Sequence, residues 1–340
     1  MSRKEAQVSY QRLDERKAGE ALRLFNEATL RGEQYYRPLD ESGFVSLLLT
    51  PVKQGDEVFA FCEIENEVMN GFIIGHFDSG IKRYFLTMIE VEPSMRRKGI
   101  GRGLLNCLQE QMEIDAFERG LKLEMEVSYF NPVMLSWDLP ETDHHFHNNA
   151  QGVLLGSPAH LFLKNNGFRD FDCQNSYHQC FADYKWPEEA MAVYEKRMAD
   201  RGLTIEFYDP ARHTDFDDLV KDLNNDLWNW QIPAELARKG GPRPMLIVND
   251  HGRVGGFAGP IVVEPSGRAW LLGLAVHSRC RGCGCASVLF NRMCEEFRLA
   301  GAEYMTFFTA EGNFARNIYE GAGFRIHVSW ANARRLVVRS

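Results

Sequence analysis

The chain has 340 residues, 44% of them hydrophobic and 25% charged, with a formal net charge of −8. That length suits two domains, each able to bury its own core, and the acidic balance argues against general nucleic-acid binding. There is no apolar run of membrane-spanning length, and the opening Met1-Ser2-Arg3-Lys4-Glu5 has no apolar stretch of a secretory leader, so a cytoplasmic protein without a membrane partner is expected.

The first half opens on a strand-like piece, Val8 to Leu13, followed by helical patterns over residues 14–29 and 41–49. Three strands are expected at 57–64, 71–77 and 83–91, with Met69-Asn70-Gly71 as a turn between the first two. Leu104, Leu105, Leu108, Met112, Ile114 and Phe117 then recur at roughly helical spacing. Leu123, Met125 and Val127 alternate with Lys122, Glu124 and Glu126, the pattern of a half-buried strand. A long insertion, 129–157, precedes a short helix at 158–165, the turn Asn166-Gly167-Phe168 and further strands to about Tyr184.

Residues 186–201 read as a connecting helix, with Pro187 in its first turn and Gly202 after its end. The second half repeats the order. Strands are expected at 203–208, 245–248, 254–263, 269–276, 302–309 and 324–328, and helices at 215–227, 233–239, 284–300 and 313–321.

Two stretches are near-copies. Arg96-x-x-Gly99-x-Gly101 and Arg279-x-x-Gly282-x-Gly284 each stand between an apolar strand and an amphipathic helix, with Gly99 and Gly282 183 positions apart. Such a turn aims several backbone N–H groups and a helix N-terminus at one point, which suits a phosphate. A dinucleotide fingerprint would need Gly-x-Gly-x-x-Gly in an early βαβ unit, and a P-loop would need Gly-Lys-Ser/Thr; neither is present.

Joined to the downstream Asn313-x-Ala315-x-x-x-Tyr319-x-x-x-Gly323-Phe324, the pattern resembles the GNAT superfamily of acyl-CoA-dependent N-acyltransferases, twice over nearly the whole chain. The resemblance implies an α/β (α+β, mixed-sheet) fold in two tandem GNAT domains. These are 1–185, which carries the insertion, and 202–340, joined by the 186–201 helix. It implies acetyl-CoA as the cofactor. Arg96, Arg97, Lys98, Gly99, Ile100, Gly101, Arg102 and Gly103 would hold the diphosphate in the first repeat. Arg279, Arg281, Gly282, Cys283, Gly284, Cys285 and Ala286 would do so in the second, with Asn313 beyond them. Ile89 and Val91, and Leu274 and Val276, would pair through backbone with the pantetheine arm.

By the same resemblance, Tyr319 stands where a hydroxyl can protonate the leaving thiolate. In the first repeat Phe162 is expected at that position, which favours the C-terminal domain as catalytic. An alkyl ammonium, of pKa ~10, must lose a proton before it attacks. Glu311 in the second repeat, and Glu90 and Glu126 in the first, are the candidate bases. Tyr35, Tyr36, Trp228 and Trp230 are expected near the acceptor, as are His145 and His147 of the insertion.

Cys280-x-x-Cys283-x-Cys285 and His144-His145-Phe146-His147 have spacings that metals use, but no supporting ligands accompany them, and the superfamily chemistry needs none. The expectation is an N-acetyltransferase acting on a primary amine of a small molecule by direct attack, as a monomer or homodimer. A CoA-binding sensor or scaffold without turnover, and a protein or peptide N-acetyltransferase, are the alternatives.

Overall fold

In the computed structural model, which describes residues 8–139, 147, 152–225 and 228–337, the chain divides into two compact units. Unit 1 comprises Met1–Gln174 with Val328–Ser340, and unit 2 comprises Asn175–His327.

Unit 1 runs β1 (Val8–Arg12), α1 (Ala18–Leu30), α2 (Glu41–Phe44, continued by a wider π turn, Val45–Leu49), β2 (Glu57–Glu65), β3 (Val68–Asp78), β4 (Arg83–Val91), α3 (Ile100–Glu118), β5 (Glu124–Val127), β6 (Val153–Leu154), α4 (Pro158–Asn165) and into β7 (Arg169–Cys180). Its strands lie in the order β1-β2-β3-β4-β5. The sheet packs helices on both faces. Ala21, Leu24, Phe25 and Ala28 of α1 cover one face, while Leu104, Leu105, Leu108 and Met112 of α3 cover the other. These stripes keep the three-and-four spacing of a helix that buries one side. All but the first residue of β3 is buried, as a strand between two helical layers must be.

Unit 2 runs α5 (Glu188–Ala199), β8 (Leu203–Phe207), α6 (Phe216–Leu223), α7 (Trp228–Leu236), β9 (Leu246–Asp250), β10 (Arg253–Gly259), β11 (Val262–Val263), β12 (Arg268–Trp270), β13 (Gly273–Val276), α8 (Cys285–Leu299), β14 (Tyr304–Ala310), α9 (Arg316–Gly321) and into β15 (Arg325–Leu336). Four strands form an antiparallel sheet, β13-β10-β9-β8, and β12 pairs in parallel with β14. The larger core gathers α5, α8 and α9; the smaller, around Phe216, Leu219 and Phe257, lies under α6 and α7.

Several boundaries differ from the sequence reading. The turn between β2 and β3 is Asn66-Glu67, not Met69-Asn70-Gly71. Both of its residues have positive φ, 52° and 66°, the backbone of a two-residue hairpin that follows strand twist. The expected strand 254–263 breaks at Pro260-Ile261, and 269–276 breaks at Leu271-Leu272. The last strand runs on to Leu336, and its residues from Val328 belong to unit 1, where Ala333–Leu336 pair antiparallel with β5 and Trp330-Ala331 with β6.

Gly75 fixes how closely α3 approaches the sheet. A Cβ there would meet the Phe85 carbonyl oxygen at 2.8 Å and run into the Met112 side chain. Gly75→Ala should therefore cost about 1–3 kcal/mol through overpacking, read as a lower urea midpoint at unchanged slope. An unshifted midpoint would mean that α3 does not sit that close.

Candidate active site

In unit 1, β4 keeps its pairing with β3 but leaves β5. Tyr84 and Phe85 pair with Met125 and Glu126, and among the described residues no later residue of β4 pairs with β5. The register with β3 skips one residue, from Met88 to Leu86, so that Thr87 is a bulge. Bulges bend and twist a strand. Beyond this one, Ile89, Glu90 and Val91 form one side of a wedge.

The chain then turns into α3. Arg97 and Gly99 both have positive φ, 66° and 91°, and Gly99 caps α3 without a side-chain acceptor for the first helical N–H groups. Gly99 is exposed, and among the described residues nothing lies within 4 Å of where a Cβ would stand. Arg96 is committed elsewhere. Its Nε donates to the Val91 carbonyl at 2.9 Å, and its two terminal nitrogens donate to the Glu33 carboxylate at 2.7 and 2.8 Å. That bidentate pair, helped by Arg31, holds Glu33 down to about 2. Arg97, Lys98 and Arg102 are exposed and have no ion-pair partner among the described residues. Open N–H groups beside uncommitted cations fit a diphosphate.

Unit 2 has the same turn in a different register from the one expected. Arg281, not Arg279, repeats the Arg96 contact, its Nε donating to the Val276 carbonyl at 3.0 Å. Gly284, at φ 91°, caps α8, and Gly282, at φ 85°, takes the place of Arg97. The correspondence therefore runs from Gly99 to Gly284, 185 positions, and the second motif is Arg281-x-x-Gly284-x-Ala286. Gly282-x-Gly284 mimics Gly99-x-Gly101 in sequence and displaces the alignment by two residues.

The corrected register exposes a difference in charge. Opposite Arg97, Lys98 and Arg102 stand Gly282, Cys283 and Ser287. Arg279 is bound to Asp250 at 2.9 Å, Asp218 at 2.8 Å and the Val254 carbonyl at 2.8 Å. Arg281 has Asp222 at 3.8 Å. A Cβ on Gly284 would run into the Tyr194 side chain of α5, and Arg201 donates to the Arg279 and Arg281 carbonyls at 2.6 and 2.9 Å. Cys283 and Cys285 are buried with their sulfurs 3.3 Å apart, and Ala286 packs on the core. The wedge persists: β12 pairs with β14, whereas β13, with the partly buried Leu274 and the buried Val276, pairs with β10.

The two units also divide the candidate catalytic groups. Glu90 is partly buried on the splayed part of β4, without a hydrogen bond or ion pair among the described residues. Burial pushes its carboxyl up to about 8, against the pull of Arg96. Its counterpart in unit 2 is Ala275. Glu126 is buried, accepting from Ser128 Oγ at 2.5 Å and from Arg83 at 3.4 Å, so its oxygens are occupied. Glu311 accepts from Asn175 and Arg316, which lower its pKa and weaken it as a base.

Tyr319 is buried among Phe307, Phe290 and Tyr177, with no hydrogen-bond partner for its hydroxyl among the described residues, and burial pushes it up to about 12. The position equivalent to it in unit 1 is Leu163, not Phe162. The turn after α4 closes with Phe168 N–H on the Leu163 carbonyl at 3.1 Å, as Phe324 N–H closes on Tyr319 at 3.0 Å. Phe162 instead lays its ring edge 3.2 Å from where a Gly101 Cβ would be, and Tyr10 fills the corresponding space at Gly103.

Tyr36 lies beside Glu90. Burial and the charge of Glu90 raise the Tyr36 phenol to about 12. Tyr35 and Tyr36 both pack on a cluster that includes Trp137 and Trp330, and Tyr36 makes a backbone bridge to Trp137. His147 stacks on Trp137 at 4.5 Å and is buried, and His145 lies outside the described residues. In unit 2, Trp228 covers Gly273 while Trp230 is exposed, and Asn313 Oδ1 accepts from Ala315 N–H in the turn before α9. The sequence reading missed Thr87, Glu33, Trp137 and Trp330. Their roles depend on partners tens of residues away, and only an equal count from Val91 and Val276 would have corrected the glycine register.

Known proteins agree with this architecture. The profile of the acetyltransferase (GNAT) family matches residues 23–133 and 203–324. A GCN5-related glucosamine N-acetyltransferase region of a fungal multi-domain GH3 beta-N-acetylglucosaminidase is similar in structure, with TM-score 0.59 and 13% identity over 97% of this chain; the chain spans 38% of that protein. A GCN5-related N-acetyltransferase from Sphaerobacter thermophilus gives 0.55 at 14% identity, covering 98% of this chain and 96% of that one. A tandem GNAT protein from the clavulanic acid biosynthesis pathway gives 0.53 at 16%, covering 98% and 100%. No curated protein matches in sequence. The chain, with two repeats of strand wedge, glycine turn and helix, belongs to the acetyltransferase (GNAT) family.

Proposed function

We propose that unit 1 carries an N-acetyltransferase that moves the acetyl group of acetyl-CoA to a primary amine of a small molecule. The observation that carries this reading is the open cationic turn at Gly99, which stands at the end of the same strand as Glu90. It shifts the weight from unit 2, which Tyr319 favoured in sequence, because an anion needs uncommitted charge before a thiolate needs an acid.

The N–H groups of Ile100, Gly101 and Arg102 would hold the diphosphate, with Arg97, Lys98 and Arg102 neutralising it. The edge of β4 from Ile89 to Val91 would hold the pantetheine arm by backbone. When bound, acetyl-CoA supplies a thioester whose acyl carbon an amine can attack. Glu90 takes the proton from the attacking nitrogen as the new C–N bond forms and the C–S bond breaks. A thiol of pKa ~8.5 leaves as thiolate without a strong acid, which is consistent with Leu163 at the position of Tyr319. Positioning on the wedge supplies much of the rest. The aromatic walls at Tyr35 and Tyr36 support a small acceptor.

Unit 2 supports a second role. With Ala275 opposite Glu90, and with Arg279 bound to Asp218 and Asp250, it reads as a structural partner that does not turn over.

A calorimetric titration with acetyl-CoA should show one molecule per chain. Arg97→Ala and Arg102→Ala should each weaken binding about tenfold, the loss of one charge-assisted bond, and Arg281→Ala should leave it unchanged. The opposite pattern would place the cofactor in unit 2. Glu90→Gln should lower kcat by about 10²–10⁴-fold and remove a rise in rate centred near pH 8, where Glu90 loses its proton. A rate profile unchanged by Glu90→Gln would remove Glu90 as the base.

Glu90 also makes a stability prediction. Its carboxyl sits at about 8 in the fold against 4.5 ordinarily, so the proton it holds stabilises the native state fully below 4.5. That contribution is lost progressively as pH rises from 4.5 to about 8. Glu90→Gln should therefore keep its thermal midpoint better than the wild type on raising the pH from about 4.5 to about 8; parallel losses over that range would contradict the shift.

A further inference from the structure

The wedge in unit 1 is tied across its mouth by side chains. Asn131, four positions past the end of β5, donates from Nδ2 to Thr87 Oγ1 at 3.0 Å, while its Oδ1 accepts from Val133 N–H at 2.9 Å, which fixes the amide's orientation. Thr87 is the bulge residue itself. Its Oγ1 also shares a hydrogen bond with His76 Nδ1 at 2.8 Å. His76 is wholly buried, and among the described residues its Nε2 has no hydrogen-bond partner. Burial pulls the ring down to about 4, so it is neutral. The Thr87 hydroxyl is thus held from two sides, by Asn131 and by His76.

Unit 2 lacks the device. Counting by the common register, Leu272 stands at the Thr87 position and Ile261 at the His76 position, and there the strand splits into β12 and β13. Where the tie exists, β4 stays continuous through its bulge; where it is absent, the strand breaks.

We propose that Thr87 is a positioning residue for the acyl carrier: its hydroxyl, clamped between Asn131 and His76, sets the width of the gap that admits the pantetheine arm. This rests on unit 1 being the acyl-CoA site. The nucleotide half of the carrier meets only the glycine turn, so it is insensitive to that width. The arm is not.

The test compares affinities for acetyl-CoA and for its phosphorylated ADP fragment, which lacks the arm. Thr87→Val keeps the shape and removes the hydroxyl. It should weaken acetyl-CoA by about tenfold, the scale of one ordering hydrogen bond, and leave the fragment unchanged. Thr87→Ser should restore binding. Asn131→Leu, which cuts the other end of the tie, should give the same selective loss and serves where Thr87→Val does not fold. Equal affinity of Thr87→Val for both ligands as in the wild type, or a proportionate loss of both, would overturn the proposal. Failure of the wild type to bind either ligand is a separate result, which removes the acyl-CoA reading of unit 1 and this inference with it.

Discussion

One strand has to satisfy two demands. Through its length β4 must remain in the sheet with β3, because its backbone groups are flanked by buried layers and need partners. Past Phe85 it must also part from β5. A single extra residue, Thr87, reconciles the two by bending the strand without cutting its ladder to β3. Glu90, the glycine turn and the start of α3 follow from that bend, since each is carried at a fixed distance along the chain beyond it.

The two units solve the same problem with different means, and their chemistry diverges accordingly. Unit 1 has a continuous β4, an elevated carboxyl on it and three uncommitted cations round the turn. Unit 2 has two short strands, an alanine in place of the carboxyl, and arginines paired with aspartates. It retains a buried phenol, Tyr319, on α9. A duplicated frame that loses its free charge at the anion turn keeps the geometry of a binding site and gives up much of its attraction.

The repeat, the mixed sheet and the family were legible in the sequence, because apolar spacing and glycine turns are local signals. The errors arose where local signals were ambiguous. Gly282-x-Gly284 and Gly99-x-Gly101 look alike, yet only Gly99 and Gly284 cap their helices, so the alignment slipped by two. Counting back from Gly167-Phe168 gives Leu163 as the partner of Tyr319, whereas the aromatic Phe162 that resembles it stands one residue earlier. The hairpin at Asn66-Glu67 was hidden because glutamate rarely signals positive φ. The bulge at Thr87, the Arg96–Glu33 clamp and the aromatic group at Trp137 and Trp330 were beyond reach, since each is defined by a partner distant in sequence. Glu90 was named, but its raised pKa arises from burial by neighbours that no local pattern reveals.

The central claim is that the diphosphate of an acyl carrier rests on the start of α3 in unit 1. A crystal structure of the chain grown with acetyl-CoA tests it most directly. The account requires the diphosphate within hydrogen-bond reach of the Ile100, Gly101 and Arg102 N–H groups, with the arm along Ile89 to Val91. Electron density for the carrier at Cys285 to Ser287 alone, with the first turn empty, would contradict it.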